Sequence, residues 1–181
     1  SGVLHTWTAN ASWGWQSSGG YDSLTSPAAW ALESSFAIDA NRDGITGSPY
    51  TTLDNQGNTK LLKGPNGKAF AQVGTGAIQE ITNPWGFGAG SDSSDWQIIA
   101  AETIGGVNQV LLRHNPSGVL HTWTANASWG WQSSGGYDSL TSPAAWALES
   151  SFAIDANRDG ITGSPYTTLD NQGNTKLLKG P

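Results

Sequence analysis

The sequence predicts an all-β fold of repeated antiparallel β-meanders, blade-like, with a short helix and an acidic loop inserted. Three observations carry that expectation. Residues 53–74 and 102–134 alternate apolar and polar side chains over short runs, the period of a half-buried strand. Gly, Asn and Pro clusters interrupt these runs every ~8–12 residues, which suits hairpin turns rather than crossover helices. The whole is built on a repeat, because residues 1–65 recur unchanged as residues 117–181, offset by 116. A two-sheet β-sandwich is the alternative arrangement of the same strands.

Taken in order, the N-terminal piece offers strands at Val3–Thr8 and Ser12–Gln16. Trp13 and Trp15 flank Gly14 and would face one side of a strand. A helix follows, with Ser26 as N-cap, Pro27 at the first helical position and good helix formers up to Phe36. The stretch from Glu102 into the second copy holds up to four strands: Glu102–Ile104, Gln109–His114, Val119–Thr124 and Ser128–Gln132. The C-terminal piece supplies Leu169–Asp170 and Lys176–Lys179.

The chain therefore divides into unit A (1–65, with the acidic loop at 39–45), unit B (66–116, without it) and an identical unit A (117–181). B is a diverged relative of A, visible when Trp30 is set against Trp96; it carries Asp92 and Asp95 but no such loop. Surface positions tolerate change within about 0.5 kcal/mol, so structure alone would not keep two copies identical. Recent duplication, an array kept uniform by recombination, and an assembled gene all fit.

Composition narrows the function classes. At 36% hydrophobic and 12% charged the chain is globular. A net charge of −6 with no Lys/Arg cluster speaks against nucleic acid and favours cations as partners. There is no Cys and no Met, so no disulfide framework, and the segment is expected to be processed or excised from something longer. No apolar run approaches the ~20 residues of a spanning helix, so no membrane insertion is expected.

The strongest chemical motif is Asp39-Ala-Asn41-Arg-Asp43-Gly44-Ile45 and its copy Asp155 to Ile161. Oxygen side chains at the first, third and fifth places, a turn-forming Gly at the sixth and a backbone carbonyl at the seventh suit a hard cation of the Ca²⁺ type. The expected ligands are Asp39, Asn41, Asp43 and Ile45, with Asp155, Asn157, Asp159 and Ile161, for about two ions per chain. The twelfth place is Tyr50 or Tyr166, so the bidentate carboxylate of a full EF-hand is replaced by something else. An Asx-rich turn without metal is the other reading of the same residues.

Ten Trp are the second signal. Packing anchors in small sheets are one reading; exposed indoles stacking on sugar rings are the other, for which Trp13, Trp15, Trp129 and Trp131 are the candidates. His5, His114 and His121 stand in no catalytic pattern, and Glu33, Glu80, Glu102 and Glu149 are separated carboxylates without a marked partner. No enzyme is expected.

Residues 100–134, followed by LESSFAIDANRDGITG and residues 53–74, resemble the tryptophan-rich repeat of large secreted bacterial proteins. Such repeats sit beside haemolysin-type, or repeats-in-toxin, calcium-binding modules, notably in cyanobacteria. The specific part is the run from W-x-W through the helix to D-x-N-x-D-G-x-x-G. The resemblance implies a secreted or cell-surface calcium-binding module in a repetitive array, with a role in adhesion or matrix formation.

The expected function is thus a non-catalytic, calcium-stabilised structural repeat. A lectin-like polysaccharide-binding module and an engineered repeat scaffold are the alternatives. Half-meanders at the two ends, joined into one meander between chains, would give head-to-tail self-association through the termini into a filament.

Overall fold

The computed structural model describes residues 2–90, 95–171 and 175–180. The expected unit ends at Ser1 and Pro181, and Asp92, lie outside them. The chain forms two compact units, Ser1–Pro49 and Tyr50–Pro181. This boundary falls inside the first sequence repeat.

The first unit is a hairpin and a helix. β1 (Val3–Ala9) pairs antiparallel with β2 (Trp15–Ser23), with bulges after His5 and Thr8. Asn10 makes the turn: its Oδ1 accepts the N–H groups of Ser12 and Gly14 at 3.0 and 2.9 Å, and Trp13 takes a left-handed φ of 61°. Trp13 thus sits in the turn, not on a strand face beside Trp15, because the asparagine side chain outcompetes strand continuation. The strand begins at Trp15 and runs through Ser17–Gly20, where Gly19 leaves room for the Thr6 hydroxyl opposite.

Helix α1 (Pro27–Phe36) starts as expected, with the Ser26 hydroxyl accepting the Ala29 N–H at 3.1 Å and Pro27 in the first turn. It stops where Ala37 turns left-handed at φ 52° and its N–H closes on the Glu33 carbonyl.

The second unit holds two four-stranded meanders. β3 (Thr51–Asp54), β4 (Thr59–Lys63), β5 (Ala69–Val73) and β6 (Gln79–Glu80) form one. β7 (Trp96–Ile104), β8 (Val107–His114), β9 (Val119–Ala125) and β10 (Trp131–Ser139) form the other, each strand beside its sequence neighbour. Helix α2 (Pro143–Phe152) repeats α1 cap for cap. β11 (Thr167–Asp170) and β12 (Leu177–Lys179) close the chain as a separate two-stranded hairpin.

Three expected strands shift. Ser12–Gln16 is mostly the Asn10 turn, and the strand is Trp15–Ser23. β7 starts at Trp96 rather than Glu102, since Gln97–Ala101 is a run buried on both faces and shows no alternation. Ser128–Gln132 is mostly the Asn126 turn, and the strand is the polar Trp131–Ser139.

The two meanders share one core. Leu61, Ala71 and Ile81 from the first pack with Ile98, Val110, Leu112, Trp123 and Trp129 of the second. The opposite face of the second sheet buries Ala100, Leu111 and Leu120 against Ala145, Phe152 and Ala156. Sheet, sheet and helix therefore stack in layers, with alternate residues such as Leu111 and Leu112 serving the two cores.

Identical sequence meets opposite environments in the two copies. Trp123 is 2% exposed and its equivalent Trp7 69%; Trp129 is 3% and Trp13 90%; Phe152 is fully buried and Phe36 68% exposed. Strands β7 and β8 cover the second copy and do not recur beside the first. In the same way β4 is paired by both β3 and β5, whereas among the described residues β12 is paired by β11 alone. Both complete meanders join the hairpin before a Pro-Gly turn to the strands after it, β3–β4 to β5–β6 and β7–β8 to β9–β10. The two end pieces, β11–β12 and β1–β2, are the corresponding halves of such a meander.

Candidate functional site

The acidic loop is held by a buried carboxylate that spacing alone does not mark. Glu149, in the last turn of α2 and fully buried, accepts Ala156 N–H at 3.1 Å and Asn157 N–H at 3.0 Å on Oε1, and Gly163 N–H at 3.2 Å on Oε2. Glu33 does the same with Ala40, Asn41 and Gly47. A charged acceptor with three backbone donors is the condition under which a buried carboxylate is tolerated. The signal in the sequence was a Glu six places before the first Asp of each loop.

Within the loop, the named side chains turn inward. Asp39 Oδ1 accepts Arg42 N–H at 2.7 Å and Asp43 N–H at 3.2 Å, and its Oδ2 accepts Gly44 N–H at 3.0 Å. Asn41 Oδ1 takes Asp43 N–H at 2.9 Å; Asp43 Oδ1 takes Ile45 N–H at 2.8 Å and its Oδ2 the Asn41 side-chain amide at 3.1 Å. Arg42 and Gly44 hold φ of 62° and 87°, which wraps the chain around these oxygens. Asp155, Asn157, Asp159 and Ile161 repeat the arrangement around Gly160.

The donor set is all hard oxygen, the chemistry Ca²⁺ takes, and each carboxylate oxygen retains lone-pair capacity beside its hydrogen bond. It supplies two carboxylates per loop. Tyr50 and Tyr166 are engaged elsewhere, against Phe70 and Trp146 at 4.9 and 5.4 Å between ring centroids. Among the described residues no group of three or more His, Cys, Asp or Glu is placed to hold a metal. Asn41, backbone carbonyls and water would complete such a site.

The aromatic residues gather in the second unit. Trp85 stacks on Trp123 at 5.4 Å and meets Trp131 edge-on at 5.3 Å; Phe87 also stacks on Trp123, at 6.0 Å. His121 stacks on Tyr137 at 4.4 Å, and Trp96 tilts against both. Trp85, Phe87, Trp96, His121, Trp123 and Tyr137, with Ser134, line a hollow of about 210 Å³ beside Trp131. Trp85, Trp131 and Tyr137 are exposed over a buried Trp123 floor. Of the four indoles named for sugar stacking, only Trp131 belongs to this cluster; Trp129 lies in the core, Trp13 is alone in its turn, and Trp15 is an exposed strand residue. Trp85 and Tyr137 were missed because they lie in a Pro/Gly-rich loop and a Ser/Gly-rich strand.

Layered meanders, a capped helix, an Asx-rich loop and clustered indoles define a tryptophan-rich β-sheet repeat protein. The chain belongs to the family described as the tryptophan-rich Synechocystis species C-terminal domain, whose sequence model matches residues 1–47 and 59–163. The two matches end at the same place in the repeat, just after the acidic loop. No curated protein and no solved structure matches the chain.

Proposed function

We propose that the chain is a non-catalytic, calcium-stabilised repeat module of a secreted surface or matrix protein, and that it self-associates. One observation carries the reading. The groove of about 600 Å³ formed by Leu4, Leu32, Phe36, Ile38 and Ala40 consists of the same residues that, as Leu120, Leu148, Phe152, Ile154 and Ala156, pack on Ala100 and Leu111 of β7 and β8. The natural occupant is therefore the β7–β8 hairpin of a second copy. Because that hairpin already covers an identical string in its own chain, occupation is an exchange: each donated hairpin frees a groove, and the process propagates without closing. Calcium at Asp39, Asn41, Asp43 and Ile45, and at their copies, would brace the loop that helix and groove share.

Light scattering on the full chain in millimolar calcium should show mass growing with concentration. Leu4→Asp with Phe36→Asp should suppress growth while leaving the second unit's melting unchanged; growth that survives both changes contradicts the exchange. A melting midpoint that ignores chelator contradicts the calcium part.

The aromatic hollow favours a second reading, a lectin-like module in which Trp85, Trp131 and Tyr137 stack on a polysaccharide. Trp85→Ala should then abolish retention on an immobilised glycan with little change in melting temperature.

A further inference from the structure

A pair of buried carboxylates in the second unit is independent of the acidic loops. Asp54 ends β3 and Glu102 lies on β7; both are buried. Glu102 reaches across to the β3–β4 turn, where Oε1 accepts Thr59 N–H at 3.2 Å and Oε2 accepts Asn58 N–H at 3.3 Å. Gly57, at φ 77°, lies so close under this carboxylate that a side chain there would collide with it. Asp54 Oδ1 accepts Gln56 N–H at 3.1 Å.

Two oxygen atoms are left over. Asp54 Oδ2 and the Thr59 hydroxyl are buried and outside hydrogen-bonding geometry with any partner, and the Thr59 side chain lies beside the Glu102 carboxylate. Neither acid has a basic partner among the described residues. Two buried carboxylates that hold the same β3–β4 turn, with the Thr59 hydroxyl beside one of them, lack one thing, a positive charge.

We propose that Asp54, Glu102 and the Thr59 hydroxyl form an oxygen site for one divalent cation of the calcium type, which ties the β3–β4 hairpin to β7. Carboxylate and hydroxyl oxygens are the ligands such an ion takes, and buried water or the neighbouring backbone carbonyls fill its remaining positions. The site exists only where both meanders are present: the equivalent of Asp54 in the second copy, Asp170, is exposed on the terminal hairpin. It would act as a clasp between the two sheets.

The test uses the full chain carrying Asp43→Asn and Asp159→Asn, which removes a carboxylate from each loop, and counts bound Ca²⁺ by equilibrium dialysis beside a thermal melt. Expected is one ion per chain and a calcium-dependent rise in melting temperature, both abolished by adding Asp54→Asn. Thr59→Val provides a second, near-isosteric variant, expected to weaken binding at least several-fold without unfolding the chain. Unchanged stoichiometry in the Asp54→Asn chain overturns the proposal. So does a doubly substituted loop variant that binds no calcium and is stabilised by acid alone, since a proton then supplies the charge.

Discussion

At the scale of single residues, Glu149 shows how much a local arrangement depends on charge. Glutamine is nearly isosteric but turns one acceptor into a donor, setting an NH₂ against the N–H of Gly163 or those of Ala156 and Asn157. Glu149→Gln should cost about 1–3 kcal/mol, the penalty of an unsatisfied buried donor, measurable as a lower urea midpoint. Burial pushes the carboxyl of Asp54 above its ordinary value of 3.8, and burial followed by the Asp54 charge pushes Glu102 above 4.5. The folded chain then holds protons more tightly than the unfolded one, so in chelator stability should fall as pH rises from about 4 through the raised values. Melting temperatures across pH 4–8 check this, and Asp54→Asn should flatten the slope. A protein that instead gains stability over that range in chelator would contradict the burial of these groups.

At the scale of elements, β9 with β10 and β1 with β2 have one sequence and two fates. Trp123 is enclosed between the sheets, and Trp123→Ala should cost ~3–5 kcal/mol as a large-to-small core change. Trp7→Ala, on the open copy, should stay within about 0.5 kcal/mol in dilute protein. Denaturant melts of the two single variants make the comparison, and equal costs would mean that both copies are covered. The helices were readable from Ser26, Pro27 and the run to Phe36, because capping is local and the sequence states it. β7 and β10 were read poorly for opposite reasons: one is buried on both faces and lacks alternation, the other is held by pairing to β9 despite a Ser/Gly-rich sequence. The Asx loop was legible residue by residue, whereas its buried anchor Glu149 and the Asp54–Glu102 pair were not, since no local spacing reveals a contact made across sheets.

At the scale of the whole molecule, the sequence repeat and the structural unit have different boundaries. The repeat is 65 residues long, yet a complete fold needs both meanders and the helix, which runs from β3 to the acidic loop after α2. A string lifted from that fold keeps its hairpin, helix and caps but leaves its apolar face uncovered, as residues 2–49 do. The proposed self-association rests on this: the surface that would otherwise be a liability is complementary to a segment every copy carries. Amide hydrogen exchange followed by mass spectrometry tests the claim directly, because peptides cut from within the two copies are chemically identical and are detected together. In dilute chelated protein, peptides covering Leu4–Trp7 and Leu120–Trp123 should show two equal isotopic populations, one protected and one open, and because one hairpin per chain serves two grooves the two should stay equal as protein concentration rises in calcium. A single population at every concentration would show that the two copies share one environment, and would contradict the account.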